Sequence, residues 1–192
     1  DTGSRYDLVG AQPLDVFAAA LDSMVEGETT AGLTASPGSV SQDVDVAAPS
    51  FTVDPATQDE YEGYTVGFTE DGLPFIGEPD AAVTVLEYSD YLCPFCFRHT
   101  TETAPSLLDQ YAAGGDANFV FVDLPLVSLH PTAPRGHQAA ACVAEQGAAF
   151  FWAYHDTLFA NQNQWSSLPD PTAYLEDTAE VIGVDMAAYT EC

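Results

Sequence analysis

The sequence predicts an α/β domain with a parallel β-α-β unit at its core, followed by a region that is helical throughout. Apolar runs typical of buried strands cover residues 82–88 and 118–124, and a helical stretch, residues 94–111, lies between them. A connection of this kind implies that its two strands pair in parallel. Further helical stretches succeed one another from residue 133 to the end of the chain.

The chain begins with a predicted helix and a predicted linker. Apolar residues recur at helical spacing over residues 14–25, Pro13 suits a first helical turn and Gly27 suits the position after the last. Residues 1–27 are therefore assigned to an N-terminal amphipathic helix. Residues 28–62 are rich in Thr, Ser, Ala, Pro, Gly and Asp without periodicity, a composition typical of a linker.

The predicted core, residues 63–130, opens with a hairpin. Residues 64–68 alternate between apolar and other types, Asp71-Gly72 supplies a turn, and residues 73–76 form a short return strand. The β-α-β unit follows, and Pro105 should interrupt its helix because proline has no backbone N–H to donate.

The last region, residues 131–192, is predicted to contain only helices. Helical patterns cover residues 133–146, 148–159 and 171–182. Gly183 is expected to end the third helix and Asp185 to cap a last one that runs into Cys192.

Composition excludes some functions. The chain has 30 acidic residues against three basic ones, a formal charge of -27, so nucleic acid and anionic lipid are poor partners. Adaptation to salty surroundings and docking on a basic partner both remain open as explanations. No apolar run approaches the roughly 18 residues of a membrane span. Since the chain starts at Asp1, we expect that a signal or membrane anchor preceded it.

The motif Cys93-Pro94-Phe95-Cys96 lies where the first long strand gives way to a helix. At a helix start, unpaired backbone N–H groups and the helix dipole favour the thiolate of Cys93, which makes it the predicted nucleophile. Pro94 suits the first helical turn, and Cys96, one turn further, is the predicted resolving thiol. Cys93 should therefore be more exposed and more acidic than Cys96.

Two carboxylates lie close to the motif in sequence. Glu87 and Asp90 oppose thiolate formation, but the helix start should outweigh them. Glu87, near the end of a predicted buried strand, is a candidate for exchanging a proton with Cys96 during the reaction. A solvated position at the strand end is the alternative for Glu87.

The motif and its surroundings resemble the DsbA-like oxidoreductases, which have a thioredoxin fold. The similarity covers about residues 63–192 and rests on residues 77–96, 124–126, 130–133 and 141–148 with Trp152 and His155. The resemblance implies a thioredoxin-like fold with an inserted helical subdomain, residues 131–192. It also implies that Cys93 and Cys96 form or exchange disulfides in extracytoplasmic, thiol-containing proteins. No cofactor is expected, and a quinone-linked membrane protein would reoxidise the pair.

The same resemblance implies that two further strands, a cis-proline loop and a closing helix should follow Cys192. These are expected to be absent from this chain, so the complete enzyme stays in question. The alternative function is a thioredoxin-like structural or accessory subunit of a larger membrane-associated assembly.

The other two cysteines are predicted to form a structural bridge. In an extracytoplasmic chain an even cysteine count favours a second disulfide, here between Cys142 and Cys192. Two buried free thiols are the alternative.

A zinc site is the remaining alternative for the motif, because Cys93, Cys96 and His99 share a two-residue spacing. A structural zinc needs a fourth ligand, and the other histidines have local explanations. His155 is expected to pack in the core and His130 to lie in a turn, while His137 has no stronger claim. We therefore predict no metal.

Overall fold

The computed structural model describes residue 8, residues 10–27 and residues 52–192. A five-stranded sheet lies at its centre. The strands are β1 (Asp59–Tyr61), β2 (Tyr64–Phe68), β3 (Pro74–Ile76), β4 (Val83–Ser89) and β5 (Ala117–Asp123). Their order is β1-β2-β3-β5-β4.

Strands β4 and β5 pair in parallel along their whole length, from Val83 opposite Ala117 to Ser89 opposite Asp123. The other neighbouring strands pair in antiparallel fashion. The predicted hairpin is present as β2 and β3, and the predicted parallel β-α-β unit is confirmed. Because β4 and β5 are parallel, their carboxyl ends meet at one end of the sheet, beside the Cys93 loop.

The predicted linker, residues 28–62, differs from the structure in its last part. Residues 28–51 lie outside the described residues, so most of this prediction is not covered. Residues 55–57 form a 3₁₀ turn, and β1 then pairs with β2. Here the prediction was wrong, since pairing with an apolar neighbouring strand outweighs the polar composition of the short edge strand.

The connection from β4 to β5 is one helical segment, residues 94–112. It consists of α2 (Pro94–Arg98), a π-helical turn (His99–Thr103), α3 (Ala104–Leu107) and a second π-helical turn (Leu108–Ala112). The predicted helix is confirmed. The expected interruption at Pro105 takes the form of a π-helical turn just before it, which accommodates a residue that cannot donate a backbone hydrogen bond.

The N-terminal helix is present as α1 (Leu14–Val25), and it packs against β4 and α3. Leu21 is buried there. The Tyr111 hydroxyl donates to Asp22 Oδ1 over 2.7 Å, and Arg98 Nη2 donates to the carbonyl of Ala11 over 3.0 Å. The first contact attaches α1 to helical segment 94–112, and the second attaches the residues just before α1.

Five helices follow β5. They are α4 (Ala133–Ala144), α5 (Ala148–Ala160), α6 (Gln162–Trp165), α7 (Thr172–Ile182) and α8 (Met186–Glu191). All were predicted except α6. Helix α5 packs against α4, α7 and strands β1, β2 and β3. Gly183, at φ 95°, ends α7, and Asp185 Oδ1 caps α8 by accepting from Ala187 N over 2.8 Å.

A disulfide joins Cys142 on α4 to Cys192 after α8, with their Cα atoms 5.6 Å apart. Cys142 is buried, whereas Cys192 is exposed. The bridge therefore ties the chain end to the interior of the helical region. Within the described ranges, no helix is both long and apolar enough to cross a membrane.

Candidate active site

Cys93 is the N-cap residue of α2, and Pro94 occupies the first helical turn. The backbone N–H of Cys93 donates to the carbonyl of Asp90 over 3.0 Å, and its own carbonyl accepts from Phe97 N over 2.9 Å. Both cysteines of the motif are free thiols. The predicted position of the motif, where β4 passes into a helix, is thus observed.

The thiol of Cys96 lies against the last residue of β4. Burial raises the pKa of Cys96 to about 11, while the Ser89 hydroxyl and the backbone N–H of Asp90 partly offset that rise. The Ser89 hydroxyl is buried and makes no hydrogen bond of regular geometry to another described group. The thiol of Cys96 is the neighbour that it faces. At neutral pH Cys96 is therefore almost entirely protonated.

The exposure of the two cysteines differs from the prediction. Cys93 is buried, with 9% of its surface exposed, whereas Cys96 is partly exposed. Gln162 of α6 holds the backbone at this position, because its Nε2 donates to the carbonyls of Tyr91 and Cys93 over 2.9 and 3.1 Å. No sequence pattern signals this contact, since Gln162 lies in a short helix 69 residues further along the chain.

The dipeptide between the cysteines lies at the surface. Pro94 is exposed, and Phe95 has 59% of its surface exposed. The Arg98 guanidinium lies 5.5 Å from the centre of the Phe95 ring. A partner can therefore reach the motif from the side of the dipeptide.

Glu87 lies beside His99 rather than in a solvated position. Their side chains, His99 Nε2 and Glu87 Oε2, are 3.7 Å apart and both are largely buried. Glu87 and Ser89 share one face of β4, because alternate residues of a strand point the same way. Ser89 thus meets Cys96, and Glu87 meets the residue one helical turn further on. The role of Glu87 in proton exchange stays a prediction.

His155 lies among aromatic rings, whereas His130 and His137 each lie beside a carboxylate. His155 is buried among the rings of Phe121, Trp152 and Phe159, so the expectation of a core residue is confirmed. His130 lies in the loop after β5, and its Nδ1 is 3.0 Å from Asp90 Oδ2. His137 is buried as well and pairs with Asp123.

The grouping of Asp90, Asp123, His130 and His137 was not predicted, because these residues come from separate elements with no common spacing. Among the described residues, no group of three or more His, Cys, Asp or Glu side chains is arranged to hold a metal ion.

Comparison with known proteins identifies the family. The sequence model of the family described as Thioredoxin matches residues 69–192, well over half of the chain. The chain belongs to the thioredoxin family. The thioredoxin-like fold predicted from the sequence is therefore confirmed, and the helices after β5 as an inserted subdomain stay a prediction.

Several relatives of this thioredoxin-family chain are named for disulfide formation. Disulfide bond formation protein D of Bacillus subtilis is 34% identical over 95 residues, which are 47% of this chain and 40% of that protein. The Na(+)/H(+) antiporter NhaA 3 of Salinispora tropica is 39% identical over 88 residues, 46% of this chain but 13% of the antiporter. The chain thus spans less than half of the length of these relatives.

The solved structures that are similar to this thioredoxin-family chain include BdbD and MdbA. Oxidised BdbD of Bacillus subtilis is 26% identical with a TM-score of 0.56, and the match covers 62% of this chain and 64% of BdbD. MdbA, a thiol-disulfide oxidoreductase of Corynebacterium diphtheriae, is 17% identical with a TM-score of 0.54, and the match covers 70% of each chain. The second similarity concerns the fold alone.

Proposed function

We propose that this chain is a thiol-disulfide oxidoreductase that forms or exchanges disulfides in extracytoplasmic proteins through Cys93 and Cys96. The observation that carries the proposal is the position of the motif: Cys93 caps a helix in a thioredoxin fold, and an exposed dipeptide separates it from Cys96. The Cys142–Cys192 bridge also suits an oxidising compartment.

In the proposed reaction a substrate thiolate attacks the sulfur of Cys93 in the oxidised pair. The mixed disulfide forms as the bond between Cys93 and Cys96 breaks, and Cys96 leaves with the electron pair. A second substrate thiolate then attacks the substrate sulfur and releases Cys93 as a thiolate. Two electrons pass from the substrate to the pair, and the substrate gains a disulfide.

The raised pKa of Cys96 adds a requirement to this reaction. With a pKa of about 11, the departing thiolate takes up a proton at neutral pH. We assign that proton exchange to Glu87, which lies on the same face of β4 as Ser89. His99 Nε2 lies 3.7 Å from Glu87 Oε2.

The partners in this proposal are thiol-containing proteins and an electron acceptor that reoxidises the pair. A quinone-linked membrane protein is the proposed acceptor, and attachment of this chain to a membrane belongs to the same proposal. Nucleic acid is not a proposed partner, because a formal charge of -27 repels it.

Alkylation and trapping test the roles of the two cysteines. The reduced protein, with its second bridge intact, is treated with iodoacetamide at slightly acid to neutral pH and mapped by mass spectrometry. Cys93 should be labelled first despite its burial, because Cys96 is almost entirely protonated. The variant Cys96→Ser should accumulate a mixed disulfide with a model peptide that carries a disulfide, since the Cys93 thiolate attacks one peptide sulfur and the other leaves as a thiolate; the matched variant Cys93→Ser should not. First labelling of Cys96, or trapping by Cys93→Ser instead, would reverse the roles.

A second candidate function is an accessory domain of a larger membrane-associated assembly. The match to a region that makes up 13% of a protein named as an antiporter favours it. Expression in a host that lacks its own disulfide-forming enzyme separates the candidates. An oxidoreductase should restore disulfides in secreted proteins, and Cys93→Ser should abolish that rescue. An accessory domain should give no rescue in either form.

A further inference from the structure

A group of ionisable side chains, which we call the carboxylate-imidazole cluster, lies beside the cysteine motif and has no part in the reaction proposed above. It consists of Asp90, Asp123, His130 and His137. Asp90 directly follows β4, Asp123 ends β5, His130 lies in the next loop and His137 lies on α4. The cluster is therefore assembled at the carboxyl ends of the two parallel strands.

Asp90 connects this cluster to both thiols. Its side chain is buried, with Oδ1 accepting from Leu92 N and Oδ2 accepting from Leu126 N, each over 2.7 Å. Its carbonyl accepts from the backbone N–H of Cys93, and its own N–H lies against the sulfur of Cys96. A shift of this residue would thus move the groups that contact both cysteines.

His137 lies between two carboxylates. Its Nδ1 is hydrogen-bonded to Asp123 Oδ1, and its Nε2 is 3.9 Å from Asp90 Oδ1. Burial acts to lower the pKa of His137, but the carboxylates of Asp123 and Asp90 outweigh it and raise that pKa. Burial likewise acts to raise the pKa of Asp90, and the His137 and His130 side chains with two backbone N–H groups hold it well below its usual range.

The surroundings contain few other ionisable groups. The Tyr91 ring packs 4.8 Å from the His137 ring, and its hydroxyl is buried. On the far side of Tyr91 lies His155 of α5, whose Nδ1 pairs with Asp156 over 2.8 Å. The charge next to the thiols on this side therefore depends on Asp90 and on the two imidazoles that face it, those of His130 and His137.

We propose that Asp90 and His137 are positioning residues of the redox site, and that the positive charge of His137, held between Asp123 and Asp90, stabilises the reduced, thiolate form of the cysteine pair. A buried carboxylate beside a thiolate disfavours the thiolate, because the two negative charges repel. An imidazolium that faces the carboxylate offsets this repulsion. The inference rests on the proposed function only in taking Cys93 as the reactive thiolate.

Thermodynamic linkage provides the test. If protonated His137 stabilises the thiolate, then reduction of the pair must tighten proton binding to His137 by the same factor. The ring signals of His137 are titrated by NMR in the oxidised and reduced protein, with the second bridge intact in both. We expect about threefold tighter proton binding, or about half a pKa unit, in the reduced form.

The His155–Asp156 pair is the internal control, since it too is a buried imidazole on an exposed carboxylate. Its signals should respond much less to the redox state. Equal titration of His137 in both redox states would overturn the proposal, because a purely structural histidine has no such linkage.

Variants add a second measurement. His137→Gln should shift the glutathione equilibrium about threefold toward the disulfide form, because Asp90, which lies beside the thiols, loses the cation that faces it. Asp156→Asn, the matched control, should leave this equilibrium unchanged. Equal shifts in both variants would contradict the proposal. If His137→Gln does not fold, the NMR comparison decides alone. A wild-type protein that shows the linkage but forms no mixed disulfide would contradict the proposed function and not this inference.

Discussion

Removal of the Cys142–Cys192 bridge should lower the free energy of unfolding by about 4 kcal/mol. The two cysteines are 50 residues apart. The chain-entropy model gives about 14 cal/mol/K for closing a loop of that length, which is about 4 kcal/mol at 25 °C. Packing losses at buried Cys142 add to this value, whereas residual structure in the unfolded chain reduces it.

The assay is urea unfolding of Cys142→Ala/Cys192→Ala against the bridged protein. Both proteins carry Cys93→Ala and Cys96→Ala, so that no free thiol can rearrange the bridge. The slope m should rise when the bridge is removed, because the unfolded chain expands and exposes more surface. A loss below about 1 kcal/mol with unchanged m would refute the assumption that the bridge acts on the unfolded state.

Three further predictions follow from single residues. Phe95→His should raise the reduction potential by about 30 mV, or about 1.4 kcal/mol, because a histidine can place positive charge near the thiolate; glutathione titration measures this, and an unchanged or lower potential would contradict it. The free energy of unfolding should fall as the pH rises above about 6.5, because the raised pKa of His137 means that folding favours its protonated form, and His137→Gln should flatten that fall in urea titrations across pH. Gly136→Ala should cost about 1–3 kcal/mol, because its Cβ would lie 2.7 Å from Cη2 of the buried Trp165 ring; an unchanged melting temperature would show that the ring can move aside.

Strong local patterns predicted much of the fold. The apolar runs that became β4 and β5 and the turn at Asp71-Gly72 are signals within one stretch of sequence, and each appears where it was predicted. Strand β1 was missed because its three residues, Asp59–Tyr61, are mostly polar. Such a strand forms only because β2 is available to pair with it, and that information lies outside the strand itself.

The site was predicted only as far as its local part. The spacing of Cys93 and Cys96 and their position at a helix start could be inferred from sequence, since both are properties of a few adjacent residues. The hydrogen bond to the carbonyl of Cys93 could not, because Gln162 donates it from a distant short helix. The pairing of His137 with Asp90 and Asp123 was missed for the same reason, because three separate elements must converge to form it.

The backbone around Cys93 is held by Gln162, a residue from a distant part of the chain. One amide nitrogen holds the carbonyls of Tyr91 and Cys93, and it lies within the loop of chain that the Cys142–Cys192 bridge closes. A single substitution at Gln162 would therefore release both carbonyls at once, without changing either cysteine of the motif.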